Sequence, residues 1–220
     1  MIWWVVKGGP VMIPIILGSV LGLALVIDRA FVFMRVSDAK SRGCLQQVLQ
    51  EVQAGRVAEA LSVSQETQQP VATVLQAGLD QWGMPLDVMK EAMEETTQTQ
   101  VQHLEQRLGA LATVVTVEPM LGFLGTITGL IRAFMNWETA GAQVTVSTLA
   151  GGIYEAMITT AAGLIIAIPF LMAHNTFVNR IKRIAAQSAE AGYKLLMLYA
   201  RQHKELSRET TPYTPLYPES

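Results

Sequence analysis

STLAGGIYEAMITTAAGLIIAIPFLMA, residues Ser147 to Ala173, decides the reading of this chain. It is apolar almost throughout and long enough to cross a bilayer as a helix, which needs about 20 residues. It nevertheless carries one carboxylate, Glu155, and two adjacent hydroxyls, Thr159 and Thr160. An ionisable group at membrane depth costs several kcal/mol and usually faces a bundle interior or a water-filled path. At 100° per residue, Thr159 lies about 40° from Glu155 and Thr160 about 140° away. One helix cannot aim all three into one pore, so some must face a helix–helix contact.

Two further apolar blocks accompany this stretch. Half of the 220 residues are hydrophobic, and the charges lie mostly between and after the blocks. That distribution predicts an all-α membrane protein with three transmembrane helices and long cytoplasmic helical extensions. A net charge of −2 gives no footing for nucleic acid. The single cysteine, Cys44, excludes an intrachain disulfide.

The expected divisions run along the chain as follows. Residues 1–36 hold an interface segment with Trp3 and Trp4 and a first span, read as retained rather than as a cleaved signal. Residues 37–107 form a cytoplasmic segment, cut into short helices at Gly55, Pro70, Gly83 and Pro85. Its last helix, from Leu86, is expected to be capped by Asp87 and to run unbroken into the second span, residues 108–135. A short periplasmic connector follows at 136–146, then the third span at 147–174. A cytoplasmic helical extension covers 175–208, with Ile181, Ile184, Ser188, Ala191, Leu195 and Leu198 in a heptad-like stripe. That stripe packs either on copies of itself or on the polar segment. Residues 209–220, rich in Pro and Tyr, read as a disordered tail. Lys and Arg cluster after the first and third spans, which puts the N-terminus outside and the C-terminus in the cytoplasm.

The second span, LGALATVVTVEPMLGFLGTITGLI from Leu108 to Ile131, holds Glu118 before Pro119. Gly122, Gly125 and Gly129 share one face and admit a neighbouring helix closely. If Thr126 and Thr160 lie at one depth, Glu155 sits about 7 Å further outward and Glu118 about 12 Å further inward, near Pro169. Acid, hydroxyls and acid then descend in the order a cation route needs. The alternative for Thr126, Thr128, Thr159 and Thr160 is that each hydroxyl bonds back to its own helix. No nucleotide loop, zinc-protease motif or nucleophile with a partner occurs, so an enzyme is not expected and no cofactor is implied.

The second-span segment EPMLGFLGTITGLIRAF and the third-span segment GGIYEAMITTAAGLIIAIP resemble the paired signatures of the MotA/TolQ/ExbB proton-channel family. Pro119, Gly122, Gly125, Thr126 and Gly129 meet the first pattern. Glu155, Ala156, Thr160, Ala161, Gly163, Leu164, Ala167, Ile168 and Pro169 meet the second. Three spans rather than four resemble the TolQ/ExbB branch.

The resemblance implies a homopentamer around a dimer of a single-span ExbD-, TolR- or MotB-like subunit whose membrane aspartate carries the ion. A TonB-like protein is a further implied partner, with lipid around the assembly. Ion flow would be coupled to work at the cell envelope, as in TonB-dependent transport or Tol function. Thr126 and Thr160 would line the path, with Glu155 in support. Gly122, Gly125, Gly129 and Gly163, with Pro119 and Pro169, would shape the helix packing. Two residues depart from the family pattern. Glu118 stands where an uncharged residue is usual, which suggests a role at the cytoplasmic mouth. Thr159 is often alanine in proton-driven relatives. If sodium is the transported ion instead of a proton, Thr126, Thr159 and Thr160 are its candidate ligands. The other class of reading is a non-conducting membrane scaffold that organises envelope partners.

Overall fold

The computed structural model describes residues 8–140 and 146–209, all of whose regular structure is helical. Seven helices follow in order: α1 (Met12–Arg35), α2 (Asp38–Gln53), α3 (Val57–Glu66), α4 (Pro70–Asp80), α5 (Leu86–Glu105), α6 (Leu108–Ala140) and α7 (Val146–Glu209). Three helical stretches contain apolar windows long enough to span a membrane, within Met12–Gln53, Leu108–Thr139 and Ala150–His203. Residues 210–220 of the expected tail, residues 141–145 of the expected connector and the two N-terminal tryptophans lie outside the described residues.

The chain divides into two compact units, and α7 contributes to both. The first unit contains α1, α6 and α7 up to Asn179. Its outward side chains are large and apolar, including Leu17, Leu21, Phe123, Ile127, Ile165 and Met172. That is the surface expected of a helix set whose solvent is lipid rather than water.

Arg107 breaks the chain between α5 and α6, contrary to the continuous helix expected from the sequence. Its φ is 64°, the left-handed region. Three hydrogen bonds from arginine side chains hold this break. Arg29, buried near the end of α1, donates from Nη1 to the Gln106 carbonyl at 3.0 Å and from Nε to Asp28 at 2.9 Å. Arg107 donates to the other oxygen of Asp28 at 2.9 Å. Hydropathy alone cannot register such a break, because it is one residue wide and stabilised by contacts with a helix about 80 positions earlier. Asp87 lies inside the first turn of α5 rather than capping it.

The second unit comprises residues 34–104 with α7 from Arg180 onward. Its core joins Cys44, Val48 and Val52 of α2, Ala60 of α3, Val71, Val74, Leu75 and Leu79 of α4, Met93 of α5, and Ala191 and Leu195 of α7. The apolar stripe on α7 therefore packs on the polar segment of the same chain. Ile181, Ile184, Ser188, Ala191 and Leu195 are buried as the stripe requires. At its last step Tyr199, not Leu198, is the buried residue. The Tyr199 hydroxyl donates to the Met84 carbonyl at 2.7 Å, and its ring meets Trp82 edge-on at 4.9 Å. A buried aromatic with a polar tip needs such a partner. Gly78 lets α4 approach Met93 and Leu195; a Cβ there would lie 2.6 Å from the Met93 sulfur. Gly55 and Gly83 carry positive φ at the turns before α3 and α5.

Candidate functional site: the seam between α6 and α7

The two motif halves meet along a seam of small residues. Gly129 faces Ala156 and Gly152, Gly125 faces Thr159, Gly122 faces the backbone of Thr159 and Thr160, and Gly163 faces Glu118. The paired numbers rise on one helix as they fall on the other, so α6 and α7 run antiparallel. Small residues every three or four positions keep facing one neighbour because a helix turns every 3.6 residues. The closeness is extreme: a Cβ at Gly163 would stand 2.6 Å from the Glu118 carbonyl oxygen, and one at Gly125 would overlap the Thr159 side chain. Between helices in lipid, such contact supplies packing that a hydrophobic driving force cannot.

The seam changes the assumed register. Thr160 lies level with Gly122, four residues from Thr126 along α6. Thr126 is therefore displaced by about one turn, or about 6 Å, toward the Arg132 end. Glu118 lies level with Gly163 and not with Pro169. Equal depth was an assumption that sequence could not check; the glycine contacts fix it.

The four threonine hydroxyls separate into two kinds. Thr126 donates to Phe123 O at 2.6 Å, Thr128 to Leu124 O at 3.0 Å, and Thr159 to Ala156 O at 2.9 Å and Glu155 O at 3.1 Å. These are back-bonds to their own helices. Thr160 alone crosses the seam, donating to Gly122 O at 2.9 Å. Thr159 is fully buried over Gly125, while Thr126 and Thr160 are half-buried. Thr159 thus faces α6, and Thr126 and Thr160 keep part of their surface turned away from the seam.

Glu155 and Glu118 occupy opposite electrostatic settings. Glu155 accepts from Arg132 Nη1 at 2.6 Å, with its side chain 18% exposed and that of Arg132 43% exposed. Gly9, at φ 67°, sits against this pair; a Cβ there would overlap the Glu155 carboxylate. Arg132 looks in the sequence like the marker of a span end. Its role as counter-charge had only a weak signal: it is the one cation between the second and third spans. Gly9 had none, since it precedes the first span.

Glu118 is 1% exposed, and its Oε2 has no hydrogen-bond partner among the described residues. Its other oxygen lies over Gly18 of α1, where a Cβ would overlap it. Along α6 it stands eleven residues from Arg107 and fourteen from Arg132, about 17 and 21 Å. That is roughly midway between the charged ends of the span. Gly18 carried no signal in the sequence, because nothing there pairs α1 with α6. Pro119 and Pro169 both lie inside continuous helices. Helix-interior proline is tolerated in membrane spans where neighbours compensate.

Residues 66–190 match the MotA/TolQ/ExbB proton channel family. An ExbB-like biopolymer transport protein of Synechocystis is 31% identical over 199 residues, covering 88% of this chain and 76% of the relative. A second ExbB-like protein of the same organism is 29% identical, covering 90% and 94%. The Tol-Pal system protein TolQ of Haemophilus influenzae is 42% identical over 93 residues, covering 42% of this chain and 40% of its own. The extent of these matches, with three apolar helices and a small-residue seam built from both signature segments, makes the chain a member of the MotA/TolQ/ExbB proton channel family, of the TolQ/ExbB-like kind.

Proposed function

We propose that this protein is the ion-conducting motor subunit of a bacterial inner membrane, not an enzyme. A homopentamer of it would surround a dimer of a single-span ExbD- or TolR-like protein, with its N-terminus periplasmic and its C-terminus cytoplasmic. Proton flow past Thr126 and Thr160, towards a titrating acid on the partner, would be coupled to work at the envelope of the TonB-dependent or Tol kind. The observation that carries this reading is the exposure pattern at the seam. Thr126 and Thr160 each keep a partly open face, while Thr159 and the glycines are committed to packing. The Glu155–Arg132 pair offsets charge at one end of that face and keeps Glu155 in a supporting role. Were sodium the carried ion, Thr126 and Thr160 would be its oxygen ligands, with Thr159 behind them.

The test is ion flux into proteoliposomes holding this protein and its single-span partner. Thr160→Val removes one interhelical hydrogen bond, worth about 0.6 kcal/mol on average and under about 2 at most. Assembly should survive, and flux should fall by tenfold or more. Wild-type vesicles that carry the whole complex and pass no ions would instead favour a scaffold, consistent with three threonine hydroxyls bonded to their own helices. Flux that follows pH at constant sodium, and ignores sodium at constant pH, selects the proton.

A further inference from the structure

Glu118 lies outside the threonine path just described. Its carboxyl is enclosed within a single chain, so no second copy is needed to shield it. Two helices pack on α6 at this residue: α1, whose Gly18 meets the carboxyl, and α7, whose Gly163 meets the Glu118 backbone carbonyl. None of the three helices supplies a counter-charge. Residues 12–27 of α1 and 156–173 of α7 contain no ionisable side chain, and Glu118 is alone in 108–131 of α6. The nearest charged groups in sequence are Asp28 and Arg29 on α1, Arg107 just before α6, Arg132 on α6, and Glu155 on α7. All five are engaged with one another: Asp28 with Arg29 and Arg107, and Arg132 with Glu155. The neighbouring hydroxyl of Ser19 is spent on Ile16 O at 2.8 Å.

A carboxylate without a partner at this depth costs several kcal/mol, whereas the neutral acid avoids most of that cost. An apolar residue would avoid it altogether, so packing alone does not account for the glutamate. Gly18 is its complement. Glycine in a helix interior is unfavourable by about 0.5–1 kcal/mol relative to alanine, yet here a single methyl would collide with the carboxyl. A space left by one helix and an acid projected by another form a built site.

We propose that Glu118 is a proton-binding site of this chain, closed by Gly18 of α1, which exchanges its proton only when α1 withdraws from α6. It goes beyond the threonine path and requires neither the partner's acid nor conduction. The proton leaves Glu118 for water admitted between α1 and α6 and returns by the same route, leaving the carboxylate transiently hydrated. The contacts of α1 suit such movement, since Gly18 and Gly22 are the residues that meet Glu118 and Phe170.

The assembled complex in membranes would be treated with the apolar reagent dicyclohexylcarbodiimide, which takes the proton of a protonated carboxyl and is then attacked at carbon by the carboxyl oxygen, and the adduct on the Glu118 peptide measured by mass spectrometry. We expect labelling whose rate falls about tenfold per pH unit once the acid begins to ionise. Gly18→Ala should speed labelling several-fold by displacing the carboxyl. Should that variant fail to assemble, infrared spectra of the wild type and Glu118→Gln supply the test: a protonated-carboxyl carbonyl band must be present in the first and missing from the second. No adduct, an adduct indifferent to pH, or no lost band overturns the proposal. Slowing of the reaction by sodium at fixed pH would assign the site to sodium and overturn it also. Flux measured on the same preparations keeps the two readings apart. Labelling without flux defeats conduction alone; flux without labelling defeats the Glu118 site alone.

Discussion

Replacing Gly163 by alanine tests whether the α6–α7 seam holds the membrane unit together. The new methyl carbon would sit 2.6 Å from the Glu118 carbonyl oxygen and 3.2 Å from the Gly122 Cα. Both are backbone atoms, so no side-chain rotation can make room. An ordinary carbon–oxygen approach is about 3.3–3.6 Å, so the helices must part locally by about 0.7–1.0 Å. A gap of that size forfeits roughly a quarter to a half of each atomic contact it opens. Overpacking of this kind costs about 1–3 kcal/mol, and the better helix propensity of alanine offsets about 1 kcal/mol at most. A net loss of up to about 2 kcal/mol follows.

Gly109 is the control, on the facing helix α6, with nothing within 4 Å of an added Cβ. There the propensity gain acts alone, and Gly109→Ala should stabilise by about 0.5–1 kcal/mol. The two variants should differ by about 2 kcal/mol, or roughly 30-fold in the unfolding equilibrium. Reversible unfolding in mixed micelles of increasing denaturing-detergent fraction measures this, with helicity as the readout. Gly122→Ala, at 3.1 Å from the Thr160 Cα, should fall between them. Equal stability of the Gly163 and Gly109 variants would refute the seam as the stabilising contact.

Three further outcomes are expected. Arg132→Gln leaves Glu155 without its cation and should destabilise by between about 1 kcal/mol, typical of exposed pairs, and the roughly 3–5 kcal/mol of buried ones; the swap Arg132→Glu with Glu155→Arg should recover part of that loss, and no recovery in thermal stability would mean the pair acts by shape rather than charge. Tyr199→Phe removes the bond to Met84 O and should cost about 1 kcal/mol in the stability of the helical extension, with a loss below a few tenths indicating that water replaces the hydroxyl. Cys44 is buried at 3% exposure, and burial pushes its thiol above the ordinary range. Alkylation proceeds through the thiolate, so folded protein at neutral pH should react with iodoacetamide far more slowly than unfolded protein, the gap narrowing as pH rises; equal rates would show that α2 opens readily.

The sequence legibly held the three apolar helices, the antiparallel pairing of the second and third spans, the glycine face and the paired family signatures. Those follow from composition and period, which act within one segment: about 20 apolar residues must be helical in lipid, and glycines three and four apart must share a face. The helical extension was legible for the same reason, up to the last step of its stripe, where the hydroxyl bond to Met84 selects Tyr199 over Leu198.

What only the tertiary structure decided is how the segments register against one another. A shift of one turn leaves every periodic pattern unchanged, so the depth of Thr126 relative to Thr160 had to come from the contacts of Gly122, Gly125 and Gly163. The break at Arg107 rests on Asp28 and Arg29, the setting of Glu155 on Arg132, and the enclosure of Glu118 on Gly18. Each of these is a contact between residues distant in sequence. Hydrophobic periodicity prescribes which segments become helices and which faces they bury; side-chain volume and unpaired charge, felt only when the helices meet, determine which residue stands opposite which.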